Sequence, residues 1–157
     1  MKHKKVLKIF LLVFAVVVLI FGAWYYYFQV SQTRQIPVLS SYYNPNYRYS
    51  LAIPSDWSGL YSVTEIQPGN TAFVFTGDQK MQIPIFILYV MPDSSWNSQK
   101  NSPNNSYVYI AENGGNTYSY NIAVSNDVIK NLNPQYKDQF LKMLSEIKDV
   151  VKTIKFN

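Results

Sequence analysis

Nine carboxylates are the side chains in this sequence best suited to catalysis: Asp56, Glu65, Asp78, Asp93, Glu112, Asp127, Asp138, Glu146 and Asp149. Two of them facing each other across a cleft, about 5 to 9.5 Å apart, would supply the acid and the base or nucleophile of glycoside hydrolysis. Glu65, Asp78 and Glu112 fall at predicted strand ends or turns, from which they could converge. Acids scattered singly among turns are, in most folds, solvated or capping groups. They also lack the alternating Asp/Asn spacing of a calcium loop, so no metal site is predicted. The other reactive side chains are missing, because there is no cysteine and the single histidine is His3. Disulfides, thiolate ligands, thiol nucleophiles, Ser-His-Asp triads and histidine-bound zinc are therefore excluded from the rest of the chain. The sequence predicts no catalysis and implies no cofactor.

Tyrosine is the unusual residue, with 14 copies. Tyr42, Tyr43, Tyr47 and Tyr49 form one cluster, and Tyr107, Tyr109, Tyr118 and Tyr120 another. Such a surface would stack on sugar rings or grip a protein partner, since tyrosine gives large contact area at low entropic cost. Strands also favour tyrosine, with the ring in the core and the hydroxyl at the rim, and both clusters lie largely on strand candidates. Trp96 stands in a serine- and asparagine-rich stretch. The candidate binding residues are Trp96, Tyr107, Tyr109, Tyr118 and Tyr120, and their exposure decides between the two uses.

The elements that would position these residues follow from periodicity and turn chemistry. Strands are predicted over Tyr47 to Ile53, Leu60 to Ile66, Thr71 to Thr76 and Ile83 to Met91. Asn44-Pro45-Asn46, Pro54, Pro68-Gly69-Asn70 and Gly77-Asp78 punctuate them. Ile83 to Met91 is apolar at nearly every position and reads as a central strand covered on both sides. Asp93 to Asn105 loses periodicity and is predicted as a loop with one helical turn over Asp93 to Gln99. Tyr107 to Ala111 and Tyr118 to Val124 flank Asn113-Gly114-Gly115-Asn116, which predicts a β-hairpin. Asn133 as N-cap and Pro134 at the first helical position open a long helix. Its apolar stripe is Tyr136, Phe140, Met143, Ile147 and Val150. Thr153 to Phe156 resumes a strand pattern. The fold class predicted is α+β: a largely antiparallel sheet packed against a long C-terminal helix, preceded by one N-terminal transmembrane helix.

That first helix is predicted over residues 9–28. Ile9 to Phe28 is apolar and aromatic without interruption. At about 1.5 Å per residue this run spans roughly 30 Å, the thickness of a bilayer's hydrocarbon core. Lys2, Lys4, Lys5 and Lys8 precede it, and Arg34 is the one cation soon after it. The asymmetry predicts a cytoplasmic N-terminus and an extracytoplasmic C-terminal domain. Trp24-Tyr25-Tyr26-Tyr27-Phe28 reads as the aromatic belt at the outer surface. A cleaved signal needs small residues before the cut, and Phe21-Gly22-Ala23 offers a phenylalanine there, so a retained anchor is favoured. The organisation predicted is a basic cytoplasmic tail over 1–8, the span over 9–28, a stalk over 29–43 and a domain over 44–157. The formal charge of +5 is largely topogenic: four of the 14 lysines and arginines precede the span, leaving ten against nine acids. Without a basic stripe, nucleic acid is excluded as a partner.

Tyr49-Ser50-Leu51-Ala52-Ile53-Pro54 followed by Trp57 resembles the opening strand and P-x-x-W pattern of PsbP-like α/β/α sandwich domains. The close, from Tyr136 through Phe140 and Ile147 to Thr153-Ile154-Lys155-Phe156, looks like their final helix and strand. The resemblance implies that architecture and a non-catalytic accessory or assembly role, and carries no catalytic or metal residue across. The function expected is a non-catalytic binding or assembly module of the cell envelope. It would be held in the bilayer through residues 9–28, with an envelope protein or polysaccharide as partner. The alternatives are a cell-wall hydrolase using a carboxylate pair and a carbohydrate-binding domain using the tyrosines.

Overall fold

A computed structural model describes residues 38–78, 81–122 and 124–157. The predicted cytoplasmic tail, the predicted span over 9–28 and the stalk up to residue 37 lie outside the described residues. Among the described residues no helix is long and apolar enough to cross a membrane.

Among the described residues eight strands run antiparallel wherever they pair. They are β1 (Val38–Asn44), β2 (Tyr49–Pro54), β3 (Tyr61–Gln67), β4 (Asn70–Phe75), β5 (Ile83–Pro92), β6 (Val108–Asn113), β7 (Asn116–Asn121) and β8 (Lys155–Phe156). The described residues also form three α-helices: α1 (Asp93–Gln99), α2 (Asn126–Asn131) and α3 (Pro134–Lys152). The class is thus α+β with a long C-terminal helix, but the strands divide between two sheets where one was expected. One sheet has the order β1-β2-β8 and the other β3-β4-β5-β7-β6. Pro54 explains the division, because it has no N–H to continue a ladder and the chain turns away through a 3-10 turn at Ser55–Trp57. The second sheet starts afresh at Tyr61.

β1 occupies residues read from sequence as the end of the stalk. Its exposed Ser40, Ser41 and Tyr43 hide the strand signal, and pairing with β2 over Val38–Asn44 supplies the order. The folded unit therefore begins before residue 44. β5 is central, as its apolar run predicts, with Phe86, Leu88 and Val90 buried on the core face. Its other face carries the half-buried Ile87, Tyr89 and Met91, so it is less completely covered than that run suggests. The hairpin forms through a two-residue turn in which Gly114 and Gly115 both have positive φ, the type I′ geometry that matches strand twist.

The core is aromatic. Phe73 and Phe86 stack with centroids 4.4 Å apart, and Tyr49 meets Tyr118 edge-on at 5.7 Å. Helix α3 contributes Phe140, Met143, Ile147, Val150 and Val151 and packs on both β2 and β5. It is also pinned at its polar flank. The Trp57 Nε1–H donates to Glu146 Oε2 at 2.8 Å, and Lys142 bridges Asp56 and Glu146.

Polar groups are buried where the two sheets meet. Tyr49, with no exposed surface, donates its hydroxyl proton to Thr71 Oγ1 at 3.2 Å. Asn44 Nδ2 donates to Thr71 Oγ1 at 3.4 Å and to the Tyr42 hydroxyl oxygen at 3.2 Å. Asn44 Oδ1 accepts the backbone N–H groups of Asn46 and Tyr47, closing the β1–β2 turn. Burial raises the Tyr49 phenol well above its ordinary pKa, with the Thr71 hydrogen bond opposing that shift. Burial also raises Tyr89 and Tyr118.

Because these phenols hold their protons more tightly when folded, the native state binds more protons than the unfolded chain once pH passes about 10. Stability should hold level up to about pH 10 and fall above it, as urea midpoints against pH will read. Tyr49→Phe should cost about 1 kcal/mol at pH 7 and make the alkaline fall shallower.

Candidate binding surface

The five candidate binding residues are divided between two faces of the second sheet. Cross-strand partners share a face. Leu88 pairs with Tyr120 and Val90 with Tyr118, so both tyrosines point into the core, where they are 7% and 2% exposed. Tyr109 pairs with Ser119, which in turn pairs with Tyr89, and these three lie on the opposite, outer face. Tyr107 closes edge-on against Tyr89 with centroids 4.8 Å apart, and Trp96 tilts against Tyr109 at 5.9 Å. Trp96 is brought there by α1, which packs on β5 and β7. The helix is held at its start where the Thr117 hydroxyl donates to Asp93 Oδ1 at 2.7 Å. Of the five, Tyr109 is half exposed and Tyr107 half buried, whereas Trp96, Tyr118 and Tyr120 are buried. No single exposed patch contains them all.

Sequence alone identifies that Tyr107 and Tyr109 share a side, as do Tyr118 and Tyr120, but alternation does not say which side meets the core. That is settled by β5 and α3. Tyr89, the residue that sequence reasoning missed, completes the outer aromatic group; its apolar surroundings in the strand masked it.

At the centre of this group Ser119 is fully buried, and its Oγ has no hydrogen-bond partner among the described residues. An unsatisfied hydroxyl costs more than the methyl that would replace it.

The carboxylates are dispersed. Glu65 lies on β3 and Glu112 on β6, the two opposite edges of the five-stranded sheet, so four strand spacings of about 4.8 Å separate their strands. Asp78 is buried and accepts the Asn133 backbone N–H at 3.4 Å, next to the start of α3. Asp56 and Glu146 come near each other only across the Lys142 ammonium, an arrangement suited to pinning a helix. Among the described residues no three histidine, aspartate or glutamate side chains gather as a metal site would require.

A groove of about 270 Å³ opens along the edge of β6. Val108, Ile110 and Tyr120 form its strand wall, and Lys148 and Lys152 of α3 stand at its other side. Sequence did not single out these lysines, because on a helix they read as ordinary solvated charge.

Ser119→Ala should leave the fold intact and raise thermal stability by up to about 1 kcal/mol, the reverse of the usual effect of trimming a buried side chain. A calorimetric melt of the two proteins checks this, and a loss of several kcal/mol would mean that the hydroxyl is engaged.

No family model, curated protein or solved structure matches this chain.

Proposed function

We propose that this protein is a single-pass, membrane-anchored module that binds or assembles with another component of the cell envelope outside the cytoplasm, without catalysing a reaction itself. The observation that carries the proposal is the uninterrupted apolar run Ile9 to Phe28, with four lysines before it and an aromatic cluster at its far end. Such a segment holds whatever follows it at the membrane's outer surface. The resemblance to PsbP-like domains in the Tyr49–Pro54 strand, Trp57 and the closing helix supports an accessory role for that part.

The described domain suits binding better than chemistry. Glu65 and Glu112 stand on opposite sheet edges and Asp56 and Glu146 pair with Lys142, whereas hydrolysis of a wall polymer needs two carboxyl groups facing one bond. The carbohydrate-binding alternative has one specific observation in its favour. Tyr89, Tyr107, Tyr109 and Trp96 surround polar Ser119 on the outer face, and rings beside hydroxyls are what a sugar stacks on. With Trp96 buried and Tyr109 alone half exposed, little of that stacking area is presented to a ligand.

The chain has no cysteine, so a single introduced thiol reports one position without background. Ser102 is exposed in the turn after α1. Ser102→Cys, treated in intact cells with a membrane-impermeant, photoactivatable maleimide, should label fully and on illumination give adducts with an envelope protein or polysaccharide. Labelling only after lysis would contradict the placement, and labelling without any adduct would contradict the binding role.

A further inference from the structure

The groove beside β6 is built on an open strand edge. Among the described residues β6 pairs with β7 alone, so its other side presents backbone groups with no described strand beside them. Val108 and Tyr109 pair with Tyr120 and Ser119 and so point to opposite faces, yet both line the groove. A cavity touching both runs along the edge of the strand, not over one face. Val108 and Tyr109 are each 49% exposed, which leaves apolar surface uncovered beside the free edge. The ladder shifts register between Tyr109 and Ala111, so any strand added here pairs over a short stretch.

The far wall supplies charge. Val151 and Ile154 continue the apolar floor, and Lys148 and Lys152 stand at the rim. One turn apart on α3, the two ammonium groups repel each other. Lys152 sits in the last turn, where a cation favours the helix dipole, and shares Asp149 at 3.5 Å. Lys148 has neither compensation: its neighbours three and four positions away are Leu144, Ser145, Val151 and Lys152. The chain beyond the predicted span is almost neutral, with ten cations against nine acids, so the pair is not part of a general basic surface. Apolar floor, open strand edge and paired cations together specify a ligand that is extended, apolar on one side and anionic.

We propose that this groove binds an extended peptide segment of a partner protein. The segment adds alongside β6, seats an apolar side chain against Val108, Ile110 and Val151, and places an aspartate or glutamate between Lys148 and Lys152. This deepens the binding-module reading and rests on it. Backbone pairing supplies affinity in this mode, and the apolar and cationic walls supply selectivity.

The test is a display library of random peptides about eight residues long, panned against the full chain in phosphatidylcholine nanodiscs and against its K148E/K152E variant. Both lysines are exposed, so the variant should fold as the parent does, which circular dichroism verifies. Peptides enriched on the parent should carry an acid beside β-branched residues. They should lose about tenfold or more in affinity on the variant, which should select lysine-bearing peptides in their place. Three results would overturn the proposal: no enrichment over empty nanodiscs, the same peptides selected by both proteins, or lysine-dependent binding of phosphatidylglycerol vesicles with no peptide selected. Failure here with labelling and adducts at Ser102→Cys intact would discard the groove and leave the anchored binding module standing.

Discussion

The hydrogen bond from the Tyr49 hydroxyl to Thr71 Oγ1, buried between two sheets that share no strand, is the contact on which the rest of this domain depends. A phenol and a threonine hydroxyl removed from water each cost free energy unless they find a partner, and the penalty for a buried orphan is about 1 to 3 kcal/mol. The sheets must therefore meet in a register that brings β2 and β4 together at these residues. Asn44 joins the same oxygen and also closes the turn that starts β2. One small network thus couples the relative position of the sheets to the local shape of the chain. Around it the rings of Tyr42 and Tyr118 pack on Tyr49, and Phe73 packs on Tyr42, so aromatic burial and polar satisfaction select the same arrangement.

Helix α3 closes the open side of this junction by packing on β2 and β5, and Trp57 with Lys142 holds its polar flank. What this leaves uncovered follows from geometry. The five-stranded sheet has β3 and β6 as edges, and the C-terminal turns of α3 end beside β6. The groove arises because the helix runs along the sheet without covering its last strand. On the other face, α1 and the outer tyrosines shield the middle of the sheet and bury Ser119 without pairing it. The same tyrosine-rich composition therefore serves packing on the core face and only partial cover on the outer one.

Elements with a strong period or a strong turn were legible in the sequence. The helix from Pro134 forms with Asn133 as its cap, accepting the Gln135 N–H, and its Phe140, Met143, Ile147 and Val150 stripe is buried as the spacing requires. The Asn113–Asn116 turn forms the expected hairpin. β1 was not legible because an edge strand of serines and exposed tyrosine carries no buried alternation, and its order comes from β2. Helix α2 was missed because six residues with two apolar side chains give little period, although its Ser125 cap, which accepts the Val128 N–H, was a usable signal. The division into two sheets and the facing of Tyr107 and Tyr109 depend on contacts distant in sequence, which no local pattern encodes. So does the groove, whose lysines acquire meaning only beside a strand edge.

If the Tyr49–Thr71–Asn44 network ties the sheets into one cooperative unit, neither sheet should open without the other. Native-state amide hydrogen exchange of the full chain in nanodiscs reads this directly. The slowest amides of β2 and of β5 should exchange with the same free energy of opening and the same denaturant dependence. A three-stranded sheet that opens several kcal/mol more easily while β5 stays protected would contradict the account, and would make the buried polar junction a consequence of packing, not its constraint.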